Sequence, residues 1–136
     1  MKLTRSTGYA LTGLVYIHRN GRTRPVPAKA IAAACRLPLD YLLKVLKLLV
    51  RREVLLSVRG SQGGFKLTRK PGEITLWEIV ESIEGDGEAG GRRIREPVGL
   101  SAPLEQRVRE IFGEVTQRRR EVLEGYSLED LLTGGL

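Results

Sequence analysis

Val54-Leu55-Leu56-Ser57-Val58, then Arg59-Gly60-Ser61-Gln62-Gly63-Gly64, then Phe65-Lys66-Leu67-Thr68 follow one another without a gap, and their succession decides the fold. The first segment is rich in β-formers and the last alternates apolar and polar residues, the period of a half-buried strand. The middle segment holds three glycines and no large apolar side chain. That composition belongs to a hairpin tip, and the tip carries an arginine. Two short strands joined by a basic, glycine-rich tip form a wing when a helix-turn-helix comes directly before them.

The upstream sequence supplies one. Residues 4–18 place Tyr9, Ala10, Leu14 and Ile17 at helical spacing, with Leu11, Val15 and His18 beside them. Asn20-Gly21 offers the left-handed backbone of a helix stop, and 22–25 is a short basic connection. Val26-Pro27 opens a second helix with proline in its first turn. It runs from Ala28 to Cys35, where Ala30, Ala32, Ala33 and Ala34 permit close packing. Pro38 restarts the chain into a third helix over 39–52. Its Leu39, Leu42, Leu46, Leu49 and Val50 make one apolar stripe, and Asp40, Lys44, Lys47 and Arg51 line the opposite face. Two helices joined by a tight turn, the second with a basic outer stripe, read as a helix-turn-helix.

Downstream, Pro71-Gly72 closes the hairpin. Thr75 is a helix N-cap with Glu78 in the capping-box position, ahead of Leu76, Ile79, Val80 and Ile83, and Gly85 ends that helix. Residues 85–99 hold five glycines, mixed charge and few apolar groups, the composition of a flexible segment. Ser101-Ala102-Pro103 starts the longest helix, ending at Leu123 or Glu124. Along it Leu104, Val108, Ile111, Val115 and Val122 recur in near-heptad order with Phe112 beside them, and Arg118 interrupts the stripe. Such a stripe needs cover, either from a second subunit or from its own domain. Ser127 caps a short last helix with Leu128, Leu131 and Leu132. The expected fold is mostly α with a small β-hairpin wing: a winged helix-turn-helix over 1–84, a flexible segment over 85–100, and a long dimerisation helix with a short helix after it over 101–136.

Charge sharpens this division. The 136 residues carry a net +7, but residues 1–70 hold fifteen Lys and Arg against Asp40 and Glu53, a net +13, while 71–136 stand at −6. The split suggests a polyanion-binding module joined to a part that does not touch the polyanion; the plainer reading is a solubilising basic surface. One His, one Cys and no spaced carboxylate motif argue against an enzyme. The tyrosines and phenylalanines do not cluster in sequence, so the stacking platform of an RNA binder is not expected. Apolar runs such as Leu48-Leu49-Val50 fall far short of the roughly 18–20 residues that span a bilayer. The polar opening Met1–Ser6 does not read as a secretory signal. Cys35 alone makes no internal disulfide, so a reducing, cytoplasmic setting is expected.

Met1-Lys2-Leu3-Thr4 with Gly8-Tyr9-Ala10-Leu11, the Asp40-Tyr41-Leu42 step, Ser57-Val58-Arg59-Gly60-Ser61-Gln62-Gly63-Gly64-Phe65, and Ile74-Thr75-Leu76-Trp77-Glu78-Ile79-Val80 followed by Glu84-Gly85 resemble the Rrf2 family of bacterial regulators. The resemblance runs over nearly the whole chain, and the wing is its most specific part. It implies a transcription regulator, expected to be a repressor, that binds a pseudo-palindromic DNA operator as a homodimer. The third helix and wing would read DNA, and Leu104, Val108, Ile111, Phe112, Val115 and Val122 would make the dimer. Two departures stand out. Many members hold an iron–sulfur cluster on three cysteines between the fourth helix and the dimerisation helix, where 85–103 here has neither Cys nor His. Clusters need thiolates or close substitutes, usually four ligands, so a cluster-free branch without cofactor is implied. Cluster members also carry an acidic residue followed by glutamine where this chain has Leu43-Lys44, which implies a different operator.

On this reading Arg5, Ser6, Tyr9, Tyr41, Lys47, Arg51 and Lys66 meet phosphates. Asp40, Leu43 and Lys44 face bases: Lys44 donates to guanine, Leu43 presses on a thymine methyl, and Asp40 either accepts from cytosine or serves the helix dipole. Arg59, with Ser61 and Gln62, enters the minor groove, and the glycines let the wing approach DNA closely. Cys35 is either a small packing residue or, with Arg36 lowering its thiol pKa, a redox sensor. His18 caps the first helix and Trp77 packs at the edge of the fourth. The rival reading is a winged-helix module that binds a protein partner.

Overall fold

The computed structural model describes residues 3–85 and 99–133; most of the segment read as flexible, 86–98, lies outside them. The element order is α1 (Arg5–Asn20), α2 (Ala28–Cys35), α3 (Leu39–Arg51), β1 (Leu55–Val58), β2 (Gly64–Leu67), a 3₁₀ turn (Pro71–Glu73), α4 (Leu76–Glu84), α5 (Ala102–Glu124) and α6 (Leu128–Thr133). This is a mostly helical winged helix-turn-helix with one antiparallel hairpin.

Each boundary has a local cause. The Thr7 N–H donates to Thr4 Oγ1 to cap α1. At α4 the expected capping box is complete: the Glu78 N–H donates to Thr75 Oγ1 at 3.1 Å and the Thr75 N–H donates to Glu78 Oε2 at 2.9 Å, removing two orphan donors. Arg69 also donates to Glu78 at 2.8 Å. Partial burial pushes the Glu78 carboxyl up, but Arg69 and Thr75 outweigh it and hold it below its ordinary value.

The stop of α1 differs from expectation. Gly21 sits at φ −105°, outside the left-handed region. It is needed for space, because a Cβ there would lie 2.5 Å from the Ile17 carbonyl oxygen. The Asn20 side-chain amide donates to the Tyr16 carbonyl at 2.9 Å, taking the capping role expected of His18. Left-handed backbone falls instead on Arg36 (φ 55°) and Glu53 (φ 60°). Arg36 makes the tight turn of the helix-turn-helix, where the Leu37 N–H donates to the Ala32 carbonyl at 2.9 Å.

One core holds α1 to α4 and the hairpin together. Leu14, Ile31, Leu42, Leu46, Leu49, Val54, Ile74 and Ile79 are fully buried. On α3 the buried stripe is Leu42, Val45, Leu46 and Leu49, while Leu39 and Val50, expected in it, are half-buried. The hydrophobic centre is thus rotated toward Val45. That rotation leaves Asp40, Lys44, Lys47 and Arg51 within an arc of roughly 60° diametrically opposite the core.

The hairpin pairs Leu55 with Leu67, Leu56 with Lys66, Ser57 with Phe65 and Val58 with Gly64. Val26 adds to it. Its N–H donates to the Phe65 carbonyl at 3.0 Å and its carbonyl accepts from the Phe65 N–H at 2.9 Å. Val26-Pro27 therefore belongs to the sheet side of the α1–α2 connection, and Pro27, extended at ψ 144°, is the N-cap of α2 and not part of its first turn. A Cβ on Gly64 would fall 2.4 Å from Val26 backbone atoms, so that glycine serves the chain's own approach.

After α5 the chain folds back. The Leu76 N–H donates to the Tyr126 carbonyl and the Leu128 N–H donates to the Ile74 carbonyl, both at 2.9 Å. The Ser127 N–H donates to Asp130 at 2.7 Å at the start of α6. Leu128 is fully buried in the common core. The short last helix, grouped by sequence with the dimerisation helix, thus packs with the winged helix.

Candidate nucleic-acid interface

The start of α1 and the first turn of α3 meet although 35 residues separate them. Ser6 Oγ and the Tyr41 hydroxyl share a hydrogen bond. The Tyr9 and Tyr41 rings pack edge to face with centroids 5.3 Å apart. Two of the four tyrosines therefore do come together, contrary to the sequence reading. Their perpendicular arrangement is a brace between helices and offers no flat platform for bases. The brace brings Arg5, Ser6, Tyr9, Asp40 and Tyr41 into one patch, with Arg5, Asp40 and Tyr41 exposed.

From that patch the exposed stripe Lys44, Lys47 and Arg51 continues along α3, and Leu43 is half-buried beside it. The wing tip presents Arg59, Ser61 and Gln62 to solvent. Gly60 turns there at φ +107°, and its carbonyl accepts from the Gly63 N–H at 3.0 Å. Among the described residues, Lys44, Lys47, Arg51 and Arg59 have no carboxylate partner. Ion pairs among the described residues lie elsewhere, including those between Arg69 and Glu78, along α5, and between Arg119 and Glu84. A basic helix face without internal neutralisation attracts a polyanion over a Debye length of about 10 Å.

Lys66 is placed differently. It is half-buried and lines a cleft of 570 Å³ with Ile17, His18, Arg22, Leu67 and Lys70. That cleft lies at the C-terminal end of α1, about 20 Å of helix from Arg5. Arg22 and Lys70 carry no sequence signal of their own beyond the basic connection that holds Arg22.

Cys35 is partly buried, and burial pushes its thiol above the ordinary value. That is opposite to the activation Arg36 would give, and the side chain packs against the edge of the core. Trp77 is half-buried on α4 as expected. Its partner was not legible: the Arg120 guanidinium stands 5.4 Å from the ring centre. Along α5, Leu104, Ile111, Phe112, Val115 and Val122 are each 46–60% exposed, and Val108 is intermediate.

No group of three or more His, Cys, Asp or Glu side chains is gathered for a metal among the described residues. No described helix is long and apolar enough to cross a membrane.

Residues 3–134 match the family described as Rrf2, iron-dependent transcriptional regulator. Protein aau3 of Rhizobium meliloti (strain 1021) is 33% identical over 97% of this chain and 85% of its own length. The HTH-type transcriptional regulator IscR of Aliivibrio salmonicida (strain LFI1238) is 26% identical over 97% of this chain and 77% of its own. The structure of CymR, described as the global cysteine regulator of B. subtilis, superimposes with a TM-score of 0.71 at 26% identity, covering 100% of this chain and 99% of that one. An iron–sulfur cluster does not fit the donors present here. The whole chain has one Cys and one His, on two different helices of the winged helix, where a cluster usually takes four ligands.

Proposed function

This chain belongs to the Rrf2 family of DNA-binding transcriptional regulators, and on that premise we propose that it is a cytoplasmic, cluster-free homodimer that represses transcription from a pseudo-palindromic operator. The observation that carries the reading is the unpaired cationic face of α3, braced to α1 through Ser6, Tyr9 and Tyr41. Lys47, Arg51, Arg5 and the Tyr41 hydroxyl contact phosphates and fix register. Lys44, Leu43 and Asp40 lie on the outward turns of α3 that enter the major groove, where Lys44 donates to guanine and Leu43 packs on a thymine methyl. Arg59 at the wing tip suits a narrow A·T-rich minor groove. Dimerisation along the exposed stripe of α5 pairs two such faces, and a bound dimer excludes polymerase from an overlapping promoter. A module that binds only a protein partner has no use for cations left without carboxylates on α3.

Selection of duplexes from a random-sequence pool by the purified protein tests this, followed by transcription in vitro with the selected site placed across a promoter. Enrichment of an inverted repeat and reduced transcript are expected. Recovery of no preferred sequence would end the reading. Protein prepared without oxygen is expected to lack iron, sulfide and a visible absorption band.

A further inference from the structure

Glu84 ends α4 at a point where three helices meet. Its Oε1 accepts from the Thr7 hydroxyl at 3.1 Å, and its Oε2 accepts from Arg119 Nη2 of α5 at 2.8 Å. Thr7 is 1% exposed and its hydroxyl in turn accepts from Thr4 at 2.9 Å. Thr4 and Thr7 bracket Arg5 and Ser6, the part of α1 that is braced to the first turn of α3. A continuous line of four side chains, Thr4 to Thr7 to Glu84 to Arg119, therefore joins the dimerisation helix to the DNA-facing patch.

The rest of the α5 contact gives this line its weight. No residue of α5 is fully buried, so apolar packing does little to fix the angle at which the helix leaves the domain. The polar contacts to α4 are directional: Arg120 over the Trp77 ring, and Arg119 on Glu84. Arg119 Nε is buried without a hydrogen-bond partner, so among the described residues the anchor of that guanidinium is Glu84. Removing the carboxylate releases the whole group.

We propose that Glu84 is a positioning residue, the joint at which α5 sets the pose of the DNA-binding face and thereby the spacing between operator half-sites. The proposal rests on the dimeric-operator reading above. In a dimer built on α5, the separation and rotation of the two α3 helices depend on the angle between α5 and its domain. One inserted base pair moves a half-site by about 3.4 Å and rotates it by about 35°. A stiff joint rejects that shift, and a loosened joint follows it.

The test uses the full-length protein, the duplex that the wild type selects from a random pool, that duplex with one base pair added or removed at its dyad, and a random duplex. Glu84→Gln and Arg119→Gln are expected to remain dimers by light scattering. Their affinity for the correctly spaced duplex should fall roughly 2- to 30-fold, while that for the altered spacings falls less, so the spacing preference narrows toward parity. Affinity for random DNA should not fall, since no phosphate contact is lost, and Arg119→Lys should restore the preference. Arg119→Gln leaves the Thr7–Glu84 hydrogen bond in place, so it remains informative if Glu84→Gln fails to fold. Folded dimers that keep the wild-type spacing preference, or that lose affinity equally at every spacing, would overturn the proposal. A wild type with no preferred spacing would overturn the dimeric-operator reading and this inference with it. A sharp wild-type preference left unchanged by the variants would overturn the inference alone.

Discussion

Two amphipathic helices of this protein leave opposite things unfinished. α3 buries Leu42, Val45, Leu46 and Leu49, with Leu42 and Leu46 at zero exposure, and among the described residues leaves Lys44, Lys47 and Arg51 without carboxylates. α5 does the reverse. Its five Arg and five Glu balance, and Arg109 meets Glu105, Arg118 meets Glu114 and Arg120 meets Glu124 one turn apart. Meanwhile its Ile111, Phe112 and Val115 stand in solvent. Isolated i,i+4 pairs contribute only about 0.3–0.5 kcal/mol each, so the pairs matter less for stability than for cancelling the charge that would repel a second copy. On the proposed reading, unpaired charge addresses DNA and uncovered apolar surface addresses a partner helix. The same periodicity serves both because only the assignment of faces differs.

The contrast can be broken experimentally, and the largest effect should come from salt. If the α3 face and wing of a dimer neutralise about 6–10 phosphates, operator affinity should fall about 10³–10⁵-fold between 50 and 200 mM salt. Binding isotherms over that range check it, and a flat response would remove the electrostatic role of α3. Next comes Ile111→Asp. Dimerisation is expected to weaken by on the order of 3 kcal/mol, because a carboxylate enters an apolar seam without a partner. Light scattering at micromolar concentration should then show monomer; an unchanged dimer would mean that the stripe of α5 is not the interface.

Smaller effects sharpen the division within α3. Lys44→Ala should cost about 1–3 kcal/mol on the selected operator and little on a scrambled duplex, relaxing preference at one base pair of each half-site. Lys47→Ala should weaken both duplexes alike and flatten the salt slope by about one per protomer. Matched isotherms on the two duplexes separate these outcomes, and identical behaviour of the two variants would erase the distinction between reading and holding. The smallest effect is expected from Arg118→Ala on α5. It should leave the salt slope unchanged and shift stability by less than about 0.5 kcal/mol. A change of slope would show that α5 also touches DNA.

Much of this was legible in the chain because the signals are local. The α4 boundary follows from Thr75 and Glu78 four positions inclusive, and the hairpin follows from a glycine-rich tip between two β-forming runs. The misreadings share a cause too. Val26 joins the sheet through a single bridge to Phe65, too short to leave any period in sequence. Gly21 has the composition of a left-handed stop, yet the helix-flanking residues that adopt that backbone are the non-glycines Arg36 and Glu53. Propensity names which residues tolerate that conformation, while the path of the chain decides which must adopt it.

By itself, the order of residues determined the helix-turn-helix, the wing, the division of charge and the lack of cluster ligands, since each depends on neighbours within a few positions or on composition alone. Tertiary structure decided which distant side chains meet. It placed Tyr9 against Tyr41, sent Lys66 to a cleft beside His18, buried Leu128 in the common core and gathered Thr7, Glu84 and Arg119 at one joint. Contacts between residues 35 or 77 positions apart carry no periodic trace, because they are fixed by how whole helices pack and by which turn of each one faces the other.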